Sequence, residues 1–335
     1  MDYRTLGETD LKISVIAFGA WAAGGWMWGG NDSRDAIRAI RAAYDKGVTS
    51  IDTAPIYGQG ASEEIVGKAI KGLPRDKVQL LTKFGMRWDL AKGDFAFHSK
   101  NNDGKEIDIY KYAGRESIKK EVEDSLRRLG TDYIDLYQIH WPEFTTPIQE
   151  TFETVAELIK EGKVLHAGVC NYNVAQMREA EKYVKLASNQ VPYSMVNRGI
   201  ETEIVPYCIK NKKSILAYSP LERGLLTGKM KPGQKFEEGD HRASNPYFTD
   251  ESISKTNSFL KIISPLAKEK GAGLAQLVLK WTIKQPGITI ALAGARNEKQ
   301  ALENAGSAVL QLSVEEMGFI NSELEKISQR SPGGC

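Results

Sequence analysis

Only three cysteines occur in the 335 residues, at positions 170, 208 and 335. Their wide, uneven spacing fits neither a disulfide framework nor a zinc-ligand set, so free thiols in a reducing cytoplasm are expected. Histidine is nearly as scarce. His98, His140, His166 and His241 include no close pair of the H-x-H kind, which argues against a metal-dependent hydrolase and predicts no metal. Long apolar runs are missing too: nothing approaches the roughly 18 residues of a membrane helix. Asp2, Arg4, Glu8, Asp10 and Lys12 interrupt the stretch where a secretory signal needs an apolar core. Neither a membrane partner nor export is expected. With 45 Lys and Arg against 43 Asp and Glu, for a net charge of +2, no electrostatic reason exists to invoke nucleic acid. Small molecules are the expected partners.

A dinucleotide fingerprint is also absent. Gly19, Gly24 and Gly25 do not have the G-x-G-x-x-G spacing that follows the first strand of an open doubly wound sheet. The run GLLTGK at 224–229 is too short between its glycines for a phosphate loop, and Met230 stands where Ser or Thr is needed.

What the chain does contain is alternation. A hairpin is expected over 4–12, around Gly7 and Asp10, followed by an apolar strand at 14–18 and a helix at 33–46 with Ser33 as N-cap and Gly47 as its stop. Strand-helix units continue at 50–52 with 62–71, 78–83 with 116–128, 134–140 with 148–161 and 164–169 with 174–185. Three more follow: 188–191 with 203–211, 214–218 with a long segment ending near 284, and 288–293 with 297–305. Parallel neighbours need crossovers, and helices supply them. Eight such units without a compositional break predict one (β/α)8 TIM barrel spanning 1–335 as a single domain. A last helix at 314–327 covers part of it, and 331–335 is expected to fray. Two connections, 84–114 and 221–250, exceed the length of ordinary turns. They are read as a substrate-side wall and a flap over a cofactor, both on the face where the carboxyl ends of barrel strands meet.

Asp52, Tyr57, Lys83 and His140 stand at or just after the ends of apolar runs, so a barrel would bring them together on that face. In sequence they belong to Asp52-Thr-Ala-Pro-Ile-Tyr57-Gly58, Leu81-Thr-Lys83, Asp132-Tyr-Ile-Asp-Leu-Tyr-Gln-Ile-His140-Trp141 and Gly168-Val-Cys-Asn171. This ordered series, within a match running from about residue 7 to 304, resembles the aldo-keto reductases. The Trp-rich loop after the first strand and the Gly-Ala-Arg run near the end are most similar to bacterial NADP-dependent members. The resemblance implies a barrel that binds NADP(H) without a Rossmann fold and reduces aldehydes or ketones. It also implies a second reading, a redox-sensing NADP-binding module like the potassium-channel β subunits.

Under the first reading, Tyr57 donates a proton to the carbonyl oxygen as hydride reaches the carbon. Lys83 lowers the tyrosine pKa, Asp52 holds the Lys83 ammonium, and His140 donates a hydrogen bond to the substrate oxygen. The resemblance implies that Asn171 and Gln190 bind the nicotinamide amide and that Tyr218 stacks on its ring. Gly19, Ala20, Trp21 and Asp52, with Ser219, Leu221 and Gly224, would lie along the cofactor. Gly294, Ala295 and Arg296 would open the last barrel helix, whose free N-terminal amides and dipole favour phosphate. Arg296 would pair with the 2′-phosphate, which predicts NADP over NAD. Gln300, Glu303 and Asn304 would contact adenine and ribose, and Arg242 would add a cation at the pyrophosphate. Many family members have Lys-Ser at Gly294-Ala295 and Arg at Gln300, so Arg296 is the evident remaining cation. Cys170 replaces their usual Ser. Trp21, Trp26, Trp28, Trp88 and Trp141 crowd the same loops and, with Tyr57 and His140, are expected to line the pocket of a small carbonyl substrate.

Overall fold

The computed structural model describes residues 1–28, 32–236 and 240–328. The tail expected at 331–335, including Cys335, lies outside the described residues. Strands β1 (Tyr3–Thr5) and β2 (Lys12–Ser14) form the expected antiparallel hairpin. It caps the amino end of a closed barrel: Leu6 and Ile13 are fully buried against Leu81, Leu136, Leu216 and Ile290 from its interior. Burying a side chain of that size contributes roughly 1.5–3 kcal/mol, and the Gly7 amide donating to Ser214 Oγ at 2.8 Å adds a directional tie.

The barrel begins with β3 (Ile16–Gly19), β4 (Ser50–Asp52) and β5 (Gln79–Phe84). An excursion of β6 (Met86–Arg87), β7 (Asp94–Lys100) and β8 (Glu106–Lys111) follows. The barrel resumes with β9 (Ile134–Ile139), β10 (Val164–Cys170), β11 (Leu186–Pro192), β12 (Ser214–Tyr218) and β13 (Ile288–Gly294). Pairing runs β3-β4-β5-β9-β10-β11-β12-β13 and returns to β3, every neighbour parallel. This is an eight-stranded (β/α)8 TIM barrel, as the alternation requires.

Its outer layer comprises α1 (Ser33–Asp45), α2 (Ala61–Ile70), α3 (Arg115–Leu129), α4 (Ile148–Lys160) and α5 (Val174–Ala180). It continues with α6 (Ile204–Lys210), α7 (Asp250–Glu269), α8 (Leu274–Lys284), α9 (Glu298–Gly306) and the closing α10 (Val314–Ser328).

Four local expectations differ. Asp32, not Ser33, caps α1, its carboxylate accepting from the Arg34 amide; Ser33 is already helical. Helix α5 stops at Ala180 instead of reaching Lys185, because the chain must turn back to begin β11 at Leu186. The long segment after β12 contains two helices, α7 and α8. The connection 84–114 is largely a three-stranded antiparallel sheet, ordered β6-β8-β7. Its alternating side chains (DFAFHSK and EIDIYK) follow the period of a half-buried strand, a pattern masked by the charges among them.

Buried charge ties barrel to helices. Asp135 on β9 accepts from the Leu80 amide at 2.9 Å and from Arg75 at 2.7 Å. Glu63 on α2, fully buried, accepts from Thr82 Oγ1 at 2.7 Å and Arg128 Nε at 2.6 Å. These bonds fix β5 in rotation and register, and β5 carries Lys83.

Candidate active site

The carboxyl ends of the strands open into a cavity of about 640 Å³, within the range of small-molecule and cofactor sites. A separate groove of about 480 Å³ at the opposite end of the barrel, beside Glu8, Asp10, His166 and Lys185, shares none of its residues.

Lys83 sits below the cavity floor with no exposed surface. Its Nζ donates to Asp52 Oδ2 at 2.7 Å, to the Thr53 carbonyl at 2.8 Å and to the Tyr57 hydroxyl at 3.3 Å, which uses the three protons of an ammonium. The other Asp52 oxygen accepts from Gln190 Nε2 at 2.7 Å. Neighbouring strands set this pairing, since Asp52 lies opposite Leu81, two residues before Lys83. Tyr57 comes from the turn after β4, where its amide bonds the Ala54 carbonyl at 3.1 Å. Gly58 allows that turn: its φ is +67°, and a Cβ there would stand 2.4 Å from the Gly24 carbonyl oxygen.

His140, one residue beyond β9, has its ring 5.6 Å from that of Tyr57 at an interplanar angle of 79°. Its amide bonds the Phe84 carbonyl at 2.9 Å. Asn171 adopts φ 60° at the end of β10, a conformation Asn tolerates. It donates to the His140 carbonyl at 3.2 Å and accepts from the Tyr218 hydroxyl at 3.0 Å. Tyr218, Asn171 and His140 are thus one linked rim, and Trp21 stacks on Tyr57 at 5.9 Å.

Burial of its hydroxyl pushes the Tyr57 pKa up to about 12, against the pull of the Lys83 ammonium. The Lys83 ammonium does pull the value down, as the sequence leads one to expect, but desolvation is the larger effect and the Asp52 carboxylate adds to it, so the net direction is upward. Burial alone would drive Lys83 toward neutrality, but Asp52 and Tyr57 overcome it and hold the ammonium protonated. Burial and the Lys83 charge keep His140 well below its ordinary range, so its imidazole is neutral. A protonated Tyr57 hydroxyl and a neutral His140 imidazole therefore face the cavity. Tyr57 keeps its proton until pH rises through about 12, and His140 stays neutral above the ordinary histidine value of about 6.5. The rate of a proton-donating step should consequently be flat between about pH 7 and 9; a pH–rate profile for carbonyl reduction that bends inside that window would contradict the assignment.

Of the other residues singled out from sequence, Gly19, Trp21, Trp26, Trp28, Trp141, Asn171, Gln190 and Tyr218 line the cavity. So do Ser219, Leu221, Gly224, Arg242, Gly294, Ala295, Arg296, Gln300, Glu303 and Asn304. Ala20 does not; it is fully buried, and its carbonyl accepts from Ser62 Oγ. Trp88 also lies outside the lining, packed against the cluster of Trp26, Ile56 and Met86. Gln190 Nε2 donates to Asp52 Oδ1 at 2.7 Å and to Gln138 Oε1 at 3.5 Å. Asn304 donates to the Gly294 carbonyl at 3.0 Å. The helix after β13 opens at Glu298, with Asn297 capping the Gln300 amide and Gln300 Oε1 accepting from the Arg296 amide at 2.9 Å. Gly294 to Arg296 are therefore strand end and loop rather than helix. The Arg296 guanidinium donates to the Trp28 carbonyl at 2.7 Å, and Arg242 pairs with Asp240.

Several lining residues were missed. Ile56, Met86 and Phe97 face the cavity beside Tyr57. The second long connection reaches over the opening through Arg223, Lys229 and His241. The His241 ring stacks on Trp21 at 4.9 Å and meets Trp28 edge-on at 4.9 Å, with Nδ1 3.1 Å from the Met27 carbonyl. Only the placement of that loop after a barrel strand could have signalled them.

A family model described as the aldo/keto reductase family matches residues 15–325. The chain belongs to the aldo/keto reductase family. It is 39% identical over 313 residues to an Escherichia coli (strain K12) protein named NADH-specific methylglyoxal reductase, covering 92% of this chain and 94% of that one. Among solved structures, a glycerol dehydrogenase from Gluconobacter oxydans matches with a TM-score of 0.87 at 35% identity, over 100% of this chain and 98% of that one. An aldo-keto reductase from Klebsiella pneumoniae in complex with NADPH matches with a TM-score of 0.71 at 30% identity, over 96% and 95% of the two chains. Oxidoreductase chemistry on carbonyl compounds with a nicotinamide cofactor follows from the family. No helix among the described residues is long and apolar enough to cross a membrane.

The cavity fits such a cofactor on its own evidence. Trp21 Nε1, Trp28 Nε1 and Arg223 Nε are buried donors without a hydrogen-bond partner among the described residues, and all three residues line it. Buried donors left unpaired are costly, and an acceptor-rich dinucleotide would satisfy them.

Proposed function

We propose that this chain, as one barrel domain, is an NADPH-dependent reductase of small aldehydes or ketones with Tyr57 as the general acid. The observation that carries the reading is the Lys83 ammonium, 2.7 Å from Asp52 and 3.3 Å from the Tyr57 hydroxyl, directly beneath a cavity lined by Tyr57 and His140. Bound reduced nicotinamide supplies a hydride to the carbonyl carbon. Tyr57 gives its proton to the oxygen as negative charge develops there, and the ammonium behind it stabilises the phenolate left behind. Asp52, anchored by Gln190, keeps that ammonium in place. Neutral His140 donates a hydrogen bond that orients the carbonyl, on a rim fixed by Asn171 and Tyr218. Trp21 packs on Tyr57 and, with Trp28 and His241, excludes water from the reacting end.

The NADPH preference rests on cation placement. Arg296 and Arg242 lie on the Trp28 ring, 5.4 and 5.3 Å from its centroid, beside Gln300, Glu303 and Asn304 in the lining. In this reading Arg296 meets the 2′-phosphate, with Gln300, Glu303 and Asn304 along the adenosine. Replacing Arg296 by Ala is expected to weaken NADPH binding by about tenfold to hundredfold, the size of hydrogen bonds to a charged group, and to leave NADH binding nearly unchanged. Fluorescence titration with each nucleotide measures this. Equal losses for both would remove the phosphate contact.

A further inference from the structure

The first turn of α2 grips the catalytic group from behind at three points. The Ser62 amide bonds the Tyr57 carbonyl at 3.1 Å, so the helix starts from the turn that carries the phenol. Ser62 Oγ donates to the Ala20 carbonyl at 2.8 Å and lies 2.8 Å from Thr53 Oγ1. Its one proton being spent on Ala20, the Thr53 hydroxyl is the donor to it. Thr53 follows Asp52 directly, and its carbonyl accepts from Lys83 Nζ at 2.8 Å. The next helical residue, Glu63, accepts from Thr82 Oγ1 at 2.7 Å, and Thr82 precedes Lys83. Successive side chains of an extended chain alternate in direction. Where Asp52 and Lys83 meet inside the barrel, Thr53 and Thr82 therefore face out to α2.

This arrangement is expensive to bury. Thr53, Ser62, Glu63 and Thr82 are all 0% exposed, and a carboxylate so enclosed needs a counter-charge. Arg128 on α3 supplies it, donating from Nε to Glu63 Oε2 at 2.6 Å, so each oxygen of Glu63 has its own fixed donor. Apolar contact would hold helix and strands together at lower cost but would tolerate sliding. Hydrogen bonds are directional and fix position along the strand.

Given the reductase reading above, on which this rests, we infer that Ser62 and Glu63 are positioning residues for the proton transfer, setting the 3.3 Å approach of Lys83 to Tyr57 through Thr53 and Thr82. Pairing of β4 with β5 places Asp52 opposite Leu81, which fixes the strands but not the turn that follows β4. Two consecutive residues of α2 close that gap, one holding the Tyr57 carbonyl and the other the strand of Lys83. With the ammonium drawn back from the phenol, the developing phenolate loses stabilisation, and a displacement of about 1 Å can cost about a hundredfold in rate.

The test is a double-substitution cycle read by single-turnover reduction of benzaldehyde at saturating NADPH, beside fluorescence titration of NADPH affinity. Thr82→Val, close to isosteric, removes the hydroxyl on Glu63 and leaves Glu63 with Arg128. It should slow reduction by about tenfold to a hundredfold and leave NADPH affinity unchanged, while Thr82→Ser, which keeps the hydroxyl, should run at nearly the wild-type rate. In a Tyr57→Phe background Thr82→Val should add almost nothing, because the proton it helps to place is already gone. A role confined to stability would instead lower the rate by the same factor in both backgrounds. That result, or wild-type turnover in Thr82→Val, would overturn the inference while leaving the reductase reading standing. Should Thr82→Val fail to fold, Ser62→Ala takes its place in the same cycle with the same two outcomes. No oxidation of NADPH or NADH by benzaldehyde with the wild-type protein would overturn the reductase reading, and this inference with it.

Discussion

Replacing Tyr57 by Phe should cut carbonyl reduction by about a hundredfold to ten-thousandfold, the usual cost of losing a general acid, and leave NADPH affinity almost unchanged. The separation follows from what the substitution removes. The ring keeps its stack with Trp21 at 5.9 Å and its edge contact with His140 at 5.6 Å, so the cavity keeps its shape. Lys83 loses one partner at 3.3 Å but retains Asp52 at 2.7 Å and Thr53 at 2.8 Å, so folding should barely suffer. Only the proton is gone. Steady-state kinetics beside a nucleotide titration reads both quantities, and wild-type turnover in the variant would reject Tyr57 as the acid.

Replacing Lys83 by Met should have the largest effect on stability. The side chains of Lys83 and Asp52 are 0% and 5% exposed, and methionine would strand the carboxylate in the barrel with only Gln190 beside it. Breaking a buried ion pair from one side costs about 3–5 kcal/mol, and activity should fall as well because the Tyr57 phenolate loses its counter-charge. Adding Asp52→Leu should recover much of the stability, since removing both charges together leaves neither uncompensated, and should recover none of the activity. Urea denaturation of the single and double variants tests this. A single variant as stable as wild type would mean that the pair is not the buried couple described here.

The barrel and the convergence of Asp52, Tyr57, Lys83 and His140 were legible in the sequence for one reason. Apolar runs ending in a polar residue, repeated with helices between, have few ways to pack except with those ends on one face. Less legible was whatever depends on depth or on contacts between loops. The distance of the Tyr57 hydroxyl from solvent decides the net sign of its pKa, and no spacing in the chain records it. Trp88 looks in sequence like the other tryptophans of the active face, but it packs behind the lining against the cluster of Trp26, Ile56 and Met86. The strands of the inserted sheet are hard to see in the connection 84–114 because Asp94, Lys100, Glu106 and Lys111 stand at the ends of their alternating runs. Nothing in the sequence around His241 marks it for the cavity, since its place between Trp21 and Trp28 arises from how the second long connection folds back over the first loop.

The central claim is that a proton from Tyr57 and a hydride from bound nicotinamide meet at one carbonyl group. A single-turnover reaction of the wild-type protein with NADPH deuterated at the transferring position of nicotinamide C4, and an aryl aldehyde, tests it most directly. The account predicts loss of the reduced-nicotinamide absorbance together with an alcohol product carrying the deuterium on its carbinol carbon. An unreacted aldehyde after full saturation with the cofactor, or an alcohol without the label, would contradict it.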